Sequence, residues 1–209
     1  LRKWILSQNW ELNTMPYFAS YLLFFGNHLK DSKDTENGKQ IFTSLDDSCK
    51  VECLQLLSQH YILIHDFNNA EKNLLLAKEM KPNNRTIAYD IFKLYEKIND
   101  TLKVISSLKK LIAIDSLNGR HYIELAKYEI FKGNNASAQL LIEKAEQLSS
   151  RGDYLIRIAK TYRRLGNEEK FNEISRKALQ SGYEEKKDKY YTLIFDDDSY
   201  LVSYTKPCR

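Results

Sequence analysis

The sequence predicts an all-α fold, a solenoid built from antiparallel helix pairs. One observation is a spacing. Tyr61 and Tyr95 stand 34 residues apart, as do Ala70, Val104 and Ala138, and again Ala77, Leu111 and Ala145; Tyr162, Phe171 and Ala178 continue the three series one residue early. A repeat of this length marks stacked supersecondary units, none of which can bury its apolar face alone. A second observation is composition. Seven Gly and three Pro in 209 residues are too few for a loop-rich or all-β chain. The third is the balance of 43% hydrophobic with 29% charged residues, as expected when every helix keeps one wet face.

The elements follow in chain order. Residues 1–11 hold Trp4, Ile5, Leu6 and Trp10, a leading helix or the tail of one. Solenoid ends need polar caps, so an aromatic start, together with Leu1 in place of Met, leads us to expect a fragment of a longer protein. Residues 12–50 read as a looser unit. Pro16 can open a helix through Leu29, since Pro suits the first helical turn. Lys30–Asn37 is polar and is expected to be a loop, with a short stripe of Ile41, Phe42 and Leu45 resuming after Gly38.

The clearest unit is 51–84. Leu54, Leu57, Tyr61 and Ile64 step by three and four, as a buried helical stripe does. Turn formers from His65 to Asn69 interrupt it, and a second stripe of Ala70, Leu74 and Ala77 ends before Pro82, which has no N–H to continue a helix. Units at 85–118, 119–151 and 152–185 repeat the pattern. The first has Ala88, Ile91, Tyr95, Val104, Leu108 and Leu111. The next has Tyr122, Leu125, Ala126, Ala138, Ile142 and Ala145, and the last has Leu155, Ile158, Ala159, Tyr162, Phe171 and Ala178. Asn99-Asp100, Gly133-Asn134 and Gly166-Asn167 fall at the turns, where Gly ends a helix at little cost. The alanines make room for close helix crossings. After these units, 186–209 reads as a capping segment. The charged cluster Glu184–Lys189 leads into an expected last helix with Tyr190, Tyr191, Leu193, Ile194 and Phe195, and Asp196–Ser199 is suited to start a terminal turn or helix.

Over residues 51–185 the pattern resembles the tetratricopeptide repeat (TPR) family. Leu54, Leu57, Ser58, Tyr61, Ala70, Leu74, Ala77 and Pro82 occupy that family's marked positions. The chain departs from the family in having no Trp at the fourth position of a unit, where Leu54, Ala88, Tyr122 and Leu155 stand. It also lacks Gly at the eighth, and Glu129 replaces the expected Tyr in the third unit. The resemblance implies a right-handed α-solenoid and a non-enzymatic protein-interaction role.

Little else in the sequence suggests chemistry. There is no glycine-rich phosphate loop. His28, His60, His65 and His121 form no metal-binding spacing, and the Asp196–Asp198 run lacks the spaced ligands of a calcium loop. No catalytic constellation is visible, so we expect no enzyme activity, no cofactor and no small-molecule substrate. Three sequons, at Asn84, Asn99 and Asn135, are expected from chance in an Asn-rich chain. Cys49, Cys53 and Cys208 form no disulfide framework and are expected to be reduced, which tilts towards a cytoplasmic setting, with an extracytoplasmic domain of a larger protein as the alternative. The run Tyr17–Phe25 is too short to span a bilayer. A net charge of +4 does not by itself imply nucleic acid.

In the resembled family the first helix of each pair lines a concave groove. Carried onto this chain, the groove would present Lys93, Lys127 and Lys160 at one repeated position, below Gln59. Leu63, Lys97, Phe131 and Arg164 would stand at another, with Arg120 and Arg163 beside them and Tyr89, Ile123 and Ile130 between. The expected partner is an acidic or amphipathic segment of another protein. Lys160 and Arg164 have the four-residue spacing of the family's carboxylate clamps, but Gln59 stands where those clamps have Asn. The alternative function is a regulatory or substrate-presenting domain of a larger enzyme, sensor or membrane protein.

Overall fold

The computed structural model describes residues 15–181, and the regular structure among them is helical throughout. Trp4, Ile5, Leu6 and Trp10, the segment from Glu184 to Ser199 and Cys208 lie outside the described residues. The chain divides into two compact units, one ending at Ser149 and one beginning at Ser150.

Among the described residues the first unit contains four helix pairs. They are α1 (Met15–Leu29) with α2 (Ser32–Ser44), α3 (Asp47–Leu63) with α4 (Phe67–Met80), α5 (Arg85–Lys97) with α6 (Thr101–Ile114), and α7 (Gly119–Phe131) with α8 (Asn135–Leu148). Partners pack along their length, and each pair docks on the next: α1 on α3, α4 on α5 and α6 on α7. One apolar core runs through the docked pairs, including Leu54, Leu57, Tyr61, Leu74, Ile91, Tyr95, Leu108 and Leu111. Fully burying a Leu or Ile of this kind contributes about 1.5–3 kcal/mol. The second unit contains α9 (Gly152–Arg164) and α10 (Glu168–Gln180), packed through Leu155, Ile158, Ala159, Tyr162, Ile174 and Ala178. No helix among the described residues is long and apolar enough to cross a membrane.

One turn recurs inside every pair. A residue with positive φ ends the first helix: Lys30 (55°), His65 (61°), Asn99 (56°), Gly133 (78°) and Gly166 (79°). The next residue's N–H then reaches back to a carbonyl five residues earlier. These bonds are Asp31 to Gly26, Asp66 to Tyr61, Asp100 to Tyr95, Asn134 to Glu129 and Asn167 to Tyr162, all between 2.8 and 3.2 Å. This is a left-handed helix stop that satisfies carbonyls otherwise left orphaned. The same residue then starts the second helix. The side chains of Asp31, Asp66, Asp100 and Asn167 accept backbone N–H groups of the following first turn. Asn134 instead donates its amide to the Glu129 carboxylate at 2.8 Å.

The structure corrects the reading of Lys30–Asn37 as a loop. Helix α2 begins at Ser32 and absorbs the segment, because Asp31 caps it by accepting from the Lys33 and Asp34 N–H groups. Glycine lets the two helices of this pair approach. A methyl group at Gly26 would stand 2.5 Å from the Thr35 backbone nitrogen, and one at Gly38 would stand 2.9 Å from the Leu23 nitrogen.

Candidate functional site

The first helices of the first unit, which the sequence reading takes as one wall, carry most of the candidate residues. Lys93 is exposed on α5, where its ammonium pairs with Glu96 one turn on and lies 5.6 Å from the Phe92 ring centre. Lys127 is half-buried on α7 and pairs with Glu124 at 3.2 Å. Both lysines therefore hold an acid of their own helix, a geometry natural to residues three apart. Lys97 is exposed at the end of α5. Arg120 reaches from α7 to α5 and lays its guanidinium 5.7 Å from the centre of the Tyr89 ring, a cation–π contact between two candidate residues. Leu63 and Phe131 are largely exposed, at 76% and 66%. Ile130 is half-buried, and Gln59 is exposed.

Ile123 departs from the expectation. It is fully buried and belongs to the core, because helix periodicity carries it beneath the wall. Sequence reasoning also missed the wall's acids. Besides Glu96 and Glu124, Asp90 on α5 accepts a 2.5 Å hydrogen bond from the Gln55 amide of α3. Burial pushes the Asp90 carboxyl above the usual range, and the Gln55 bond opposes that shift. The signal was available, since Glu96 and Glu124 each sit three residues from a candidate lysine. The first helices thus carry cations and acids interleaved along their sequence, with exposed Leu63 and Phe131 at the ends of α3 and α7.

The second unit holds the other candidates. Lys160 is half-buried on α9, and Arg164 is exposed. Arg163 lies over the Phe171 ring of α10 at 5.2 Å, so its guanidinium is turned to the second helix of its own pair.

Two further networks tie successive pairs of the first unit together. The Tyr95 hydroxyl and the Lys103 ammonium both donate to Glu71, each at 2.8 Å. The Lys103 bond holds the Glu71 carboxyl low, while burial followed by the Glu71 bond raises the Tyr95 phenol. Asp115, between α6 and α7, accepts from the Asn118 amide at 3.1 Å and pairs with Arg85 at 3.5 Å. His121 is buried, with Nε2 3.4 Å from Asp115 and outside hydrogen-bond geometry. Burial lowers the His121 pKa, and the Asp115 charge opposes it. Both networks join successive helix pairs, and Tyr95 and Lys103 of the first also line a cleft between α4 and α6.

No protein-family model matches the sequence, and no curated protein matches it. Solved structures do match. A structure of MamA shares 18% identity, covering 75% of this chain and 94% of its own, with a TM-score of 0.53. MamA from Desulfovibrio magneticus RS-1 shares 14%, covering 78% and 94%, with a TM-score of 0.53. YrrB, described as a TPR protein with an unusual peptide-binding site, shares 15%, covering 83% and 89%, with a TM-score of 0.52. At these identities the likeness is one of fold, and that fold is the tetratricopeptide-type all-α solenoid.

Proposed function

We propose that this chain is a non-enzymatic scaffold that holds a segment of another protein against the first-helix wall of its first unit. The observation that carries the reading is the composition of that wall. Exposed Leu63 and Phe131 offer apolar anchors on the same set of helices as Lys93, Lys97, Lys127 and Arg120, a composition that an amphipathic segment with acidic residues would complement. The fold shared with YrrB, a protein described as having a peptide-binding site, supports it. An incoming carboxylate would exchange with Glu96 or Glu124 for its lysine, so charge would favour encounter and selectivity more than final affinity. In the second unit, Lys160 and Arg164 stand four residues apart on α9, and we propose that they add contacts to the same class of partner, with Arg163 held apart over Phe171.

Selection from a random peptide library tests the reading. Peptides recovered on the wild type should be enriched in Asp and Glu beside Leu or Phe. The variant with Lys93, Lys127 and Lys160 all changed to Glu should lose them while keeping its helical circular dichroism. Binding should weaken as salt rises above physiological strength, where the screening length is already about 8 Å. Peptides without acidic enrichment, or equal recovery on the triple variant, would rule out the wall as an acid-binding surface.

A further inference from the structure

A cleft of about 440 Å³ lies between α4 and α6, the second helices of two successive pairs. Both helices pack on α5, which supplies Ala88 and Ile91 to the lining. Leu75 comes from α4 and Ile114 from α6. One small side chain in the lining stands out. Where the other repeats carry Leu54, Tyr122 and Leu155, this one carries Ala88. Tyr122 is long enough for its hydroxyl to reach the Ser116 carbonyl at 3.0 Å. Interiors are otherwise packed nearly as tightly as crystals, so a methyl at this position leaves real space.

Three lysines line the cleft: Lys78, Lys103 and Lys110. Lys103 is held by Glu71. Lys78 and Lys110 are different. Both line the same cleft, from α4 and from α6, and among the described residues neither has a carboxylate within ion-pair distance. Burial, and then the charge of Lys110, hold the Lys78 ammonium below its ordinary pKa. Two adjoining cations without a counterion repel, and an anion between them turns that repulsion into attraction.

We propose that this cleft binds a small apolar carboxylate, with its oxygens between the Lys78 and Lys110 ammoniums and its hydrocarbon over Leu75, Ala88, Ile91 and Ile114. The volume lies in the range of small-molecule pockets, and an apolar lining with a few convergent polar groups is their usual form. The two ammoniums belong to second helices, α5 adds the apolar Ala88 and Ile91, and none of Lys93, Lys127 and Lys160 lines the cleft.

Calorimetric titration with decanoate, decanol and acetate is the test. Decanoate should saturate a single site, and the other two should bind at least about tenfold more weakly, since each lacks one half of the recognition. Ala88→Leu should fill the cleft and abolish decanoate binding without lowering the melting temperature. Lys78→Met with Lys110→Met should erase the preference for decanoate over decanol. The triple Lys93, Lys127 and Lys160 to Glu variant should bind decanoate as the wild type does, which separates this site from the wall. The proposal is overturned by any of four results: no saturable decanoate binding up to about 1 mM, unchanged binding in Ala88→Leu, a preference that survives loss of both lysines, or loss of binding in the folded triple variant.

Discussion

At the residue scale, small side chains decide where helices meet. Ala138 and Ala145 on α8 are fully buried, and a methyl at Gly119 on α7 would stand 3.3 Å from the Ala145 carbonyl oxygen. Neither alanine has exposed space for a larger side chain to enter. Ala138→Leu or Ala145→Leu is expected to cost about 1–3 kcal/mol by overpacking, read as a lower melting temperature in each variant. An unchanged value in both would mean that the crossing can open. These alanines were legible in the sequence because the repeat places them in one phase. Ala88 was legible as a small residue too. Its consequence was not, because an empty volume depends on whether α4, α6 and α5 close over it. The same limit applied to the lysines. Periodicity put Lys93 and Lys127 on one face, but it took the structure to show Glu96 and Glu124 holding them.

At the element scale, the helix-to-helix turn carries the most information. Its signature is a residue able to adopt positive φ followed by Asp or Asn: Lys30-Asp31, His65-Asp66, Asn99-Asp100, Gly133-Asn134 and Gly166-Asn167. The last four stand near the expected spacing and were readable as turns. Lys30-Asp31 was not, since lysine rarely takes this conformation and the polar run after it looks like a loop. The geometry makes a prediction. A non-glycine residue in the left-handed region costs roughly 1–2 kcal/mol. Lys30→Gly should therefore raise stability by about 1 kcal/mol, and Gly133→Ala should lower it by a similar amount. Chemical denaturation midpoints of the two variants should move in opposite directions. Movement in the same direction would show that the turns differ in kind despite their shared φ.

At the scale of the whole molecule, acidity should loosen the fold in two separate windows. Burial lowers the pKa of both His60 and His121 in the folded chain. Their neighbourhoods agree with this. His60 packs on the Phe24 ring at 5.1 Å, and Arg85 and Arg120 offset the pull of Asp115 on His121. The folded state then binds fewer protons than the unfolded one, so stability is full above the unfolded histidine value of about 6.5 and falls as pH drops through it. Glu71 and Asp115 are held low by their partners, so they add a second loss that begins only below about 4.5. Melting temperature should fall between pH 7.5 and 5.5 in the wild type and stay nearly flat there when His60 and His121 are both Gln. An equal slope in that double variant would place the titration elsewhere. None of this was readable in the sequence, where the histidines showed only that they lack a metal-binding spacing. The all-α repeat class was readable, because a period survives whatever the side chains do at each contact.

The recurring turn also bears on how the chain acquires its structure. Each turn closes within six residues through its own backbone bond and, in four of five cases, its own cap. Contacts of this kind bring together segments close in sequence, so little loop-closure entropy is spent before they form, and low contact order makes for rapid folding. Nucleation is then available at several hairpins at once and spreads by docking onto whichever neighbour is already ordered. A polypeptide organised this way can begin to order while its later hairpins are still being synthesised, and a lesion in one hairpin frays its vicinity before it melts the rest.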